Sequence, residues 1–594
     1  MCGIVGYIGE RQAQPILLNC LSHLEYRGYD SCGIAVSDGA VKVYKDAVRV
    51  AELKKTMPDF DGSLGIGHTR WATHGEPSRV NAHPHGDCQN EVSVVHNGII
   101  NNFLKLKQQL TSEGHTFVSE TDSEVIPHLI EKYYAGDLEK AVERALADIE
   151  GSYAIIVMGY GENTLIAARK DSPLVIALGD RENYIASDVP AVLDYTSRVI
   201  YLEDGDIATV TAGGVSFRNG GKTAKRSEHK VDWSVEEARK GGYEHYMLKE
   251  IHEQPRVIRD TLGDWLPNGE PFEDLKKMSE DGTRTLLMLG CGTSYHAALV
   301  GKYIAQEMLG LPVRAELASE FNYHGRALPE TLAVTLTQSG ETADVLMAIK
   351  RLKDVGCRVM AITNVNGSSV SRLADHTIIT RAGPEISVAA TKSFLAQLMV
   401  LYWLMMSCAR VEPKRQAEMV LQLRHMASRV TQVLDSEAEI AERAGYLAKY
   451  NDVFFIGRGI NYPVALEGAL KLKEISYVHA EGFAAGELKH GPFALLGREK
   501  PVIAVLTQDA THQTMLTSIR EVKARGSPLM VLASEGDDSA DSLADFTITV
   551  PRVDPLFSPV VNTVTLQLLA YHIARKRGCP VDFPKNLAKS VTVE

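Results

Sequence analysis

Residues 285–309 read TLLMLGCGTSYHAALVGKYIAQEML, and residues 452–471 read DVFFIGRGINYPVALEGALK. Each is an apolar run, a glycine turn and then apolar residues at helical spacing, the pattern of a strand turning into a helix. Laid on one another, Gly290, Gly292 and Tyr295 face Gly457, Gly459 and Tyr462 at an offset of 167 residues. A second pair repeats the match, with Thr337 and Gln338 of AVTLTQSG facing Thr507 and Gln508 of IAVLTQDA at an offset of 170. Two matches at nearly one offset mark an internal duplication. Its strand–turn–helix order predicts parallel α/β architecture.

Outward from this pair, LAVTLTQSGETADVLMAIKRLKDVG, CRVMAITNVNGSSVSRLAD and HTIITRAG extend the first copy, and a helical segment over Arg415–Lys449 separates it from the second. The expected divisions are a first α/β domain at 283–414, a helical connection at 415–449, a second α/β domain at 450–582 and a tail at 583–594. The first 215 or so residues differ. Short β-like runs such as GIVGYIG, CGIAVSDG, SLGIGHTRW, VSVVHNGII and YAIIVMGY dominate, with helical patterns only near Ile16–Leu24 and Ser123–Leu146. That balance predicts strands pairing locally in a separate domain, 2–220. The polar stretch GGKTAKRSEHKVDWSVEEARKGGYEHYM opens a linker, 221–282.

At 594 residues the chain exceeds one core, and its 45% hydrophobic and 23% charged content is ordinary for a globular protein. A net charge of −12 argues against a nucleic-acid surface. The eight cysteines (Cys2, Cys20, Cys32, Cys88, Cys291, Cys357, Cys408 and Cys579) are scattered without a CxxC pair, so the spacing reads neither as a disulfide framework nor as a zinc site. FLAQLMVLYWLMMSC, Phe394–Cys408, falls short of the ~20 residues a membrane span needs and reads as a buried core helix. No secretory signal or membrane contact is evident, and a cytoplasmic location is expected.

The N-terminus, MCGIVGYIGE, carries the chemistry of the first domain. Removal of Met1 leaves Cys2 with a thiol and a free α-amine, and an amine titrating near ~8 keeps a neutral fraction able to act as a base. That combination is an N-terminal nucleophile; the alternative is a structural cysteine at the start of a strand. HTRWATHG supplies Arg70, Trp71, Thr73 and His74, HNGII supplies Asn97 and Gly98, and ETDSE supplies Asp122. Splitting an amide through a thioester needs donors for an oxyanion, and the Asn97 carboxamide and Gly98 N–H fit that need. Arg70 suits bidentate binding of a carboxylate, and Asp122 suits an ammonium. Taken singly, Asn-Gly is a hairpin turn and the charged residues are solvated surface; together with Cys2 they fit a glutamine amidohydrolase.

In the duplicated half, GCGTS (Gly290–Ser294) and TQSGET (Thr337–Thr342) each follow an apolar strand and precede a helix. Such turns aim N–H groups and hydroxyls at an anion, or simply cap the helix. Without GxxxxGK[ST] or GxGxxG, a sugar phosphate suits them better than a nucleotide. ALEGALKLKEISYVHAEGFAAGELKHGP is dense in ionisable groups, with Lys471 and Glu474 on one helical face, as a surface ion pair would also be.

MCGIVGYIG, LEYRGYDSCGIA, GHTRWATHGEPSRVNAHPH, VHNGII and SETDSE resemble the glutaminase domain of the class II, N-terminal-nucleophile amidotransferases. Within that class the whole chain resembles the isomerising glutamine–fructose-6-phosphate aminotransferases, because its second half carries their sugar-isomerase (SIS) motifs. The resemblance implies an αββα glutaminase domain followed by two duplicated α/β SIS domains. It makes Cys2 the nucleophile, Asn97 and Gly98 the oxyanion hole, Arg70 and Asp122 the glutamine holders and Trp71 a gate on the ammonia route, with Thr73 in the same site and His74 and His83 as supports. It assigns Thr293, Ser294, Thr337, Gln338, Ser339 and Thr342 to the sugar phosphate. Thr337 stands where the family often has serine, which keeps the hydroxyl. EISVAATK places Val388 at the sugar, with Ala390 replacing a common serine. Glu474 is implied as the proton shuttle between C1 and C2, His490 as the ring-opening group lent by a neighbouring subunit, Lys471 as a support and Lys589 of PKNLAKSVTVE as a Schiff-base lysine.

The implied reaction takes glutamine and fructose 6-phosphate to glucosamine 6-phosphate and glutamate in a homodimer. No metal and no organic cofactor are expected. Another class II amidotransferase is the nearest rival, but the only Asp-Asp, Asp537–Asp538 in SEGDDSADS, lacks a phosphoribosyl-diphosphate loop, and there is no SGGxDS loop for ATP. A non-catalytic sugar-phosphate sensor predicts loss of Cys2, Glu474 or Lys589, and all three are present.

Overall fold

The structure, a computed structural model, describes residues 2–72, 74–159, 161–231, 240–263, 285–409 and 412–592. Contacts divide the chain into two compact units. One comprises Met1–Ala238 with Glu341–Ala343 and Ala588–Glu594; the other comprises Arg239–Gly340 and Asp344–Leu587.

The first unit is built on two antiparallel sheets. One has eight strands in the order His229–Lys230, Arg198–Tyr201, Val175–Leu178, Asn183–Ala186, Gly3–Ile8, Leu64–Arg70, Ser31–Ser37, Val41–Asp46. The other has seven, in the order Lys222–Ala224, Gly214–Asn219, Asp206–Thr211, Leu165–Lys170, Gly151–Gly159, Val92–Ile100, His85–Gly86. Strand alternation builds the layers, as Gly151–Gly159 illustrates. Its Ala154, Ile156 and Met158 join Ile4, Ile8 and Ile66 of the other sheet in an inter-sheet core. Its Tyr153, Ile155 and Val157 face outward to Leu106, Val125, Leu129 and Val142 of the covering helices. Helix Ala13–Ser22 covers the first sheet, which completes an αββα arrangement.

Three features depart from the sequence reading. The helical pattern over Ser123–Leu146 is two helices, Val125–Tyr133 and Leu138–Ala147, because Gly136 turns at φ +85° and Asp137 caps the second by accepting the Lys140 N–H at 3.1 Å. Helix Phe103–Ser112 escaped it, since only Leu106 and Leu110 of that helix are buried. The sheets also run past residue 220, because Lys222–Ala224 pairs with Gly214–Asn219 and His229–Lys230 with Arg198–Tyr201.

The second unit holds two parallel five-stranded sheets of one topology. The first is ordered Val313–Leu317, Thr285–Gly290, Thr331–Thr337, Arg358–Thr363, His376–Ile379. The second is ordered His479–Ala484, Asp452–Gly457, Val502–Leu506, Leu529–Ser534, Phe546–Val550. Both follow the 2-1-3-4-5 order, so the duplication seen in the sequence is a duplication of fold. The paired glycines have one physical reason. A Cβ on Gly290 would stand 2.8 Å from the Ser294 carbonyl carbon, and one on Gly457 would stand 2.1 Å from the Asn461 oxygen. Both strand-to-helix turns are too tight for any side chain.

The two copies share a core that runs from Met288 and Ile304 through Leu401 to Val464, Leu472 and Leu566. Lys392–Cys408, the apolar stretch read as a core helix, is buried from Lys392 to Met406. The helical connection is two helices, Pro413–Asp435 and Glu437–Leu447. Among the described residues one helix, Pro555–Lys576, is long and apolar enough to cross a membrane, and its apolar window is wholly buried inside the protein.

Candidate active sites

In the first unit Cys2 precedes the central strand, whose Gly3 pairs with Thr69 on the neighbouring strand. The pairing carries the sulfur to the end of that neighbour, where the Trp71 N–H donates to Cys2 Sγ at 3.2 Å. Burial pushes the Cys2 thiol up, while the Trp71 hydrogen bond and the Arg70 charge pull it back. Asn97 Nδ2 donates to the Cys2 carbonyl at 2.8 Å. Gly98 follows at φ +134°, where a Cβ would lie 2.1 Å from the Ser152 oxygen. Only glycine fits there.

The charged groups converge on the same strand end. Arg70 is buried and donates to the Gly75 carbonyl at 3.0 Å and to the His74 carbonyl, which curls the 74–76 loop around the guanidinium. Asp122 is buried and accepts the Ile100 N–H at 2.9 Å, tying its loop to the strand that carries Asn97. His74 Nδ1 stands 4.0 Å from Asp122 Oδ1, and the Trp71 ring meets Tyr29 edge-on at 5.8 Å. The structure thus gathers Cys2, Arg70, Trp71, His74, Asn97, Gly98 and Asp122 where the ends of strands Gly3–Ile8 and Leu64–Arg70 meet strand Val92–Ile100 of the other sheet. Thr73 lies outside the described residues.

His68 is a positioning residue that the sequence reading missed. Its Nε2 lies 3.0 Å from the His96 carbonyl and 3.1 Å from Asn97 Oδ1. Both neighbours are acceptors, so Nε2 carries the proton, and donation to Oδ1 turns Asn97 Nδ2 toward Cys2. His83 packs against His68 with ring centroids 4.0 Å apart and the ring planes tilted, as a support would.

These buried rings give a pH dependence. Burial pushes the His68 imidazole down to about 3 and holds His83 well below its ordinary value. An unfolded chain takes up these protons near ~6.5, whereas the folded rings resist until far lower pH, so stability falls on acidification below ~6.5 and, for His68, keeps falling until about 3. Each ring contributes up to about 1.4 kcal/mol per pH unit. The urea midpoint for loss of the first unit should therefore drop clearly between about pH 7 and about pH 5. An unchanged midpoint would count against neutral burial of these histidines.

In the second unit the loops after strands Thr285–Gly290 and Thr331–Thr337 lie at the carboxyl ends of the two strands between which the sheet order reverses, the place where open α/β sheets bind ligands. Thr293 opens helix Thr293–Leu309, and its hydroxyl donates to Glu467 Oε1 at 3.0 Å and accepts from Lys471 Nζ at 3.1 Å. Ser294 Oγ accepts from Gln397 Nε2 at 3.0 Å, and Thr337 Oγ1 accepts the Gly340 N–H at 3.3 Å. The Gln338 carbonyl accepts the Asn364 N–H at 3.1 Å. Gln338 and Ser339 are half-buried beside them. Val388 is buried, with its N–H on the Asp582 carbonyl at 3.0 Å.

Helix Tyr462–Ser476 of the second copy brings its ionisable face to that loop. Lys471 Nζ is 2.6 Å from Glu474 Oε2 and 3.5 Å from Glu467 Oε1, and His296 Nδ1 is 2.7 Å from Glu467 Oε2. Burial works against the Lys471 ammonium, but Glu474 and Glu467 outweigh it and raise its pKa. Burial likewise opposes the Glu467 carboxylate, yet Lys471, His296 and Thr293 leave it below its ordinary value. Glu467 and Lys471 are sealed in, whereas the Glu474 side chain keeps 20% of its surface exposed and is the member of the chain that a substrate can reach. The sequence reading missed Glu467, His296 and Gln397. Only the spacing of Glu467, one turn before Lys471, hinted at the first of them.

His490 ends the turn Ala485–His490 and is exposed. Thr342 and Lys589 belong to the short segments grouped with the first unit, where the Ala343 N–H donates to the Val591 carbonyl at 3.1 Å.

Comparisons with known proteins bear on both sites. A family model described as a glutamine amidotransferase domain matches residues 68–194, and a SIS domain model matches 282–407 and 446–576. Over 608 residues the chain is 45% identical to a Clostridium tetani protein named glutamine–fructose-6-phosphate aminotransferase (isomerizing), covering 100% of both. A Methanothermobacter thermautotrophicus protein of the same name is 48% identical over 602 residues, again covering 100% of both. The chain belongs to the isomerising glutamine–fructose-6-phosphate aminotransferase family. A solved C-terminal domain of glucosamine-fructose-6-phosphate aminotransferase from Francisella tularensis is 36% identical, with a TM-score of 0.56, and covers 58% of this chain and 99% of that one. For a member of this family, the glutaminase-type site and the sugar-phosphate-type loops are two halves of one enzyme.

Proposed function

We propose that the chain hydrolyses glutamine in its first unit and transfers the ammonia to fructose 6-phosphate in its second, with ketose–aldose isomerisation, giving glucosamine 6-phosphate and glutamate. Full-length identity of 45–48% to isomerising glutamine–fructose-6-phosphate aminotransferases is the observation that carries this reading. The direct test supplies glutamine and fructose 6-phosphate and looks for glucosamine 6-phosphate; glutamate without amino sugar would contradict it.

In the glutaminase step Cys2 Sγ attacks the side-chain amide carbon of glutamine, and the Cys2 α-amine takes the thiol proton. Asn97 Nδ2 and the Gly98 N–H stabilise the oxyanion, with His68 holding the Asn97 carboxamide in register. Collapse breaks the C–N bond, the proton passes to the leaving nitrogen and ammonia departs. Water then cleaves the thioester to give glutamate. Arg70 takes the substrate carboxylate and Asp122 its ammonium, with Trp71 and His74 lining the site. Support comes from the burial of Arg70 and Asp122 around the Cys2 strand end. The base requires a free amine, so active protein should begin at Cys2, and intact mass should show loss of Met1. A fully active preparation retaining Met1 would refute the amine's role.

Thr293, Ser294, Thr337, Gln338 and Ser339 of the second unit hold the sugar phosphate through hydroxyls and N–H groups, with Val388 against the sugar; the family resemblance adds Thr342. His490 opens the ring, Lys589 captures the open ketose as an imine with loss of water, ammonia displaces Lys589 from C2, and Glu474 moves a proton from C1 to C2 to give the 2-amino aldose. Lys471 holds Glu474 in place through their 2.6 Å pair. Exposure of His490 supports its service to a neighbouring subunit, hence a homodimer. Lys589→Arg keeps the charge but cannot form the imine, so synthase activity should be nearly abolished, and borohydride with fructose 6-phosphate should trap the sugar on the Lys589 peptide of the native chain only. Full activity of Lys589→Arg would remove the Schiff-base role.

A further inference from the structure

A second cluster in the first unit has no part in the reaction above. Cys88 sits in the turn between strands His85–Gly86 and Val92–Ile100, and His115 in the loop after helix Phe103–Ser112. His128 and Glu131 lie three apart on helix Val125–Tyr133 and so share a face. Cys88 Sγ is 3.5 Å from His128 Nδ1 and 3.6 Å from His115 Nδ1. Glu131 Oε2 is 2.8 Å from His115 Nδ1 and 3.4 Å from His128 Nδ1. The four donor atoms all lie within 4.8 Å of one another.

We propose that Cys88, His115, His128 and Glu131 form a tetrahedral binding site for a borderline-soft divalent cation, with zinc the fitting ion. Bond lengths of about 2.3 Å to sulfur and 2.0–2.2 Å to nitrogen and oxygen give tetrahedral edges of about 3.5 Å from sulfur to nitrogen and about 3.3 Å between nitrogen and oxygen. The two sulfur–nitrogen separations and the His128–Glu131 separation match these edges, whereas the 2.8 Å between His115 Nδ1 and Glu131 Oε2 must lengthen by about 0.5 Å as the ion enters. One thiolate, two imidazoles and one carboxylate are the donors zinc selects, and four protein ligands make a closed, structural site rather than a catalytic one. Binding takes the proton from the Cys88 thiol and releases it to solvent.

The surroundings support the assignment. His128 Nε2 is buried without a hydrogen-bond partner among the described residues, and Glu124 Oε1 stands 3.9 Å from it, on the far side of the ring from the Nδ1 that faces the cluster, where the orienting carboxylate of a metal-ligating histidine belongs. Glu124 is buried and also accepts the Val118 N–H at 2.8 Å and the Ser119 N–H at 2.7 Å. An ion here ties together the turn ahead of the Asn97 strand, the loop that leads to Asp122 and the helix behind both. Its role is to hold the glutamine-binding loop. The sequence spacing did not reveal it because the ligands come from three separate elements.

The test is metal analysis of the full-length protein after growth with zinc and dialysis into metal-free buffer. About one zinc per chain is expected, falling by about tenfold or more in Cys88→Ser/His115→Gln, since loss of even a supporting group costs 10–100-fold in affinity. Cobalt added to chelator-stripped protein should give a thiolate-to-cobalt charge-transfer band that Cys88→Ser lacks. In the unaltered chain, zinc should protect Cys88 from iodoacetamide and chelator should expose it, a readout that holds even if a variant misfolds. Wild-type protein without bound zinc, zinc content unchanged in the double variant, or alkylation of Cys88 indifferent to zinc would each overturn the site.

Discussion

Cys2→Ala is expected to lower glutamine hydrolysis by at least about four orders of magnitude while sparing isomerisation of the phosphosugar. Alanine leaves the strand start and the Gly3–Thr69 pairing intact but removes the sulfur that forms the thioester, and among the described residues no other nucleophile takes the Trp71 N–H. The remaining groups, Asn97, Gly98, Arg70 and Asp122, still bind glutamine, so the variant should saturate with substrate normally and fail in the covalent step. Isomerisation should persist because Thr293, Lys471 and Glu474 belong to a separate compact unit with its own core. Synthesis from glutamine should vanish with the hydrolysis. Equal loss of both activities in a folded Cys2→Ala protein would contradict the assignment of one chemistry to each unit.

The mirror-image result is expected from Glu474→Gln. Glutamine matches the carboxylate in shape and can still meet Lys471, but it cannot take a proton from C1 and return it at C2. Loss of a general base costs about 10²–10⁴-fold, so kcat for both isomerisation and synthesis should fall by that factor. The KM for fructose 6-phosphate should stay close to that of the parent, because the proposed phosphate site is the hydroxyl loops and not Glu474. Lys471 retains Glu467 at 3.5 Å as a counter-charge, so the buried ammonium is not stranded. Glutamine hydrolysis should be untouched. A raised KM with unchanged kcat would assign Glu474 to binding instead.

The residues that were legible in the sequence are those whose chemistry or geometry leaves a local mark. Cys2 announces itself by position, and the paired glycines Gly290 and Gly457 expose the duplication because both turns exclude a side chain. Asn97–Gly98 and the hydroxyl loops are read from their own neighbours. Residues that act through others leave no such mark. His68 alternates along a strand like any inward side chain, and its role emerges only where Nε2 meets Asn97 Oδ1. Buried Glu467 and half-buried His296 are partners contributed by different copies of the duplication, and nothing in either helix alone predicts that they touch. The cluster of Cys88, His115, His128 and Glu131 is a sharper case, since pairing across a turn, a loop and a helix cannot be read from ligand spacing.

The central claim is that one chain moves the amide nitrogen of glutamine onto a phosphosugar. Supplying glutamine labelled with 15N at the side-chain amide, together with fructose 6-phosphate, tests it most directly. The account predicts glucosamine 6-phosphate carrying the label on its C2 amine, formed mole for mole with glutamate. Labelled ammonia and glutamate accumulating beside unaminated sugar would contradict it.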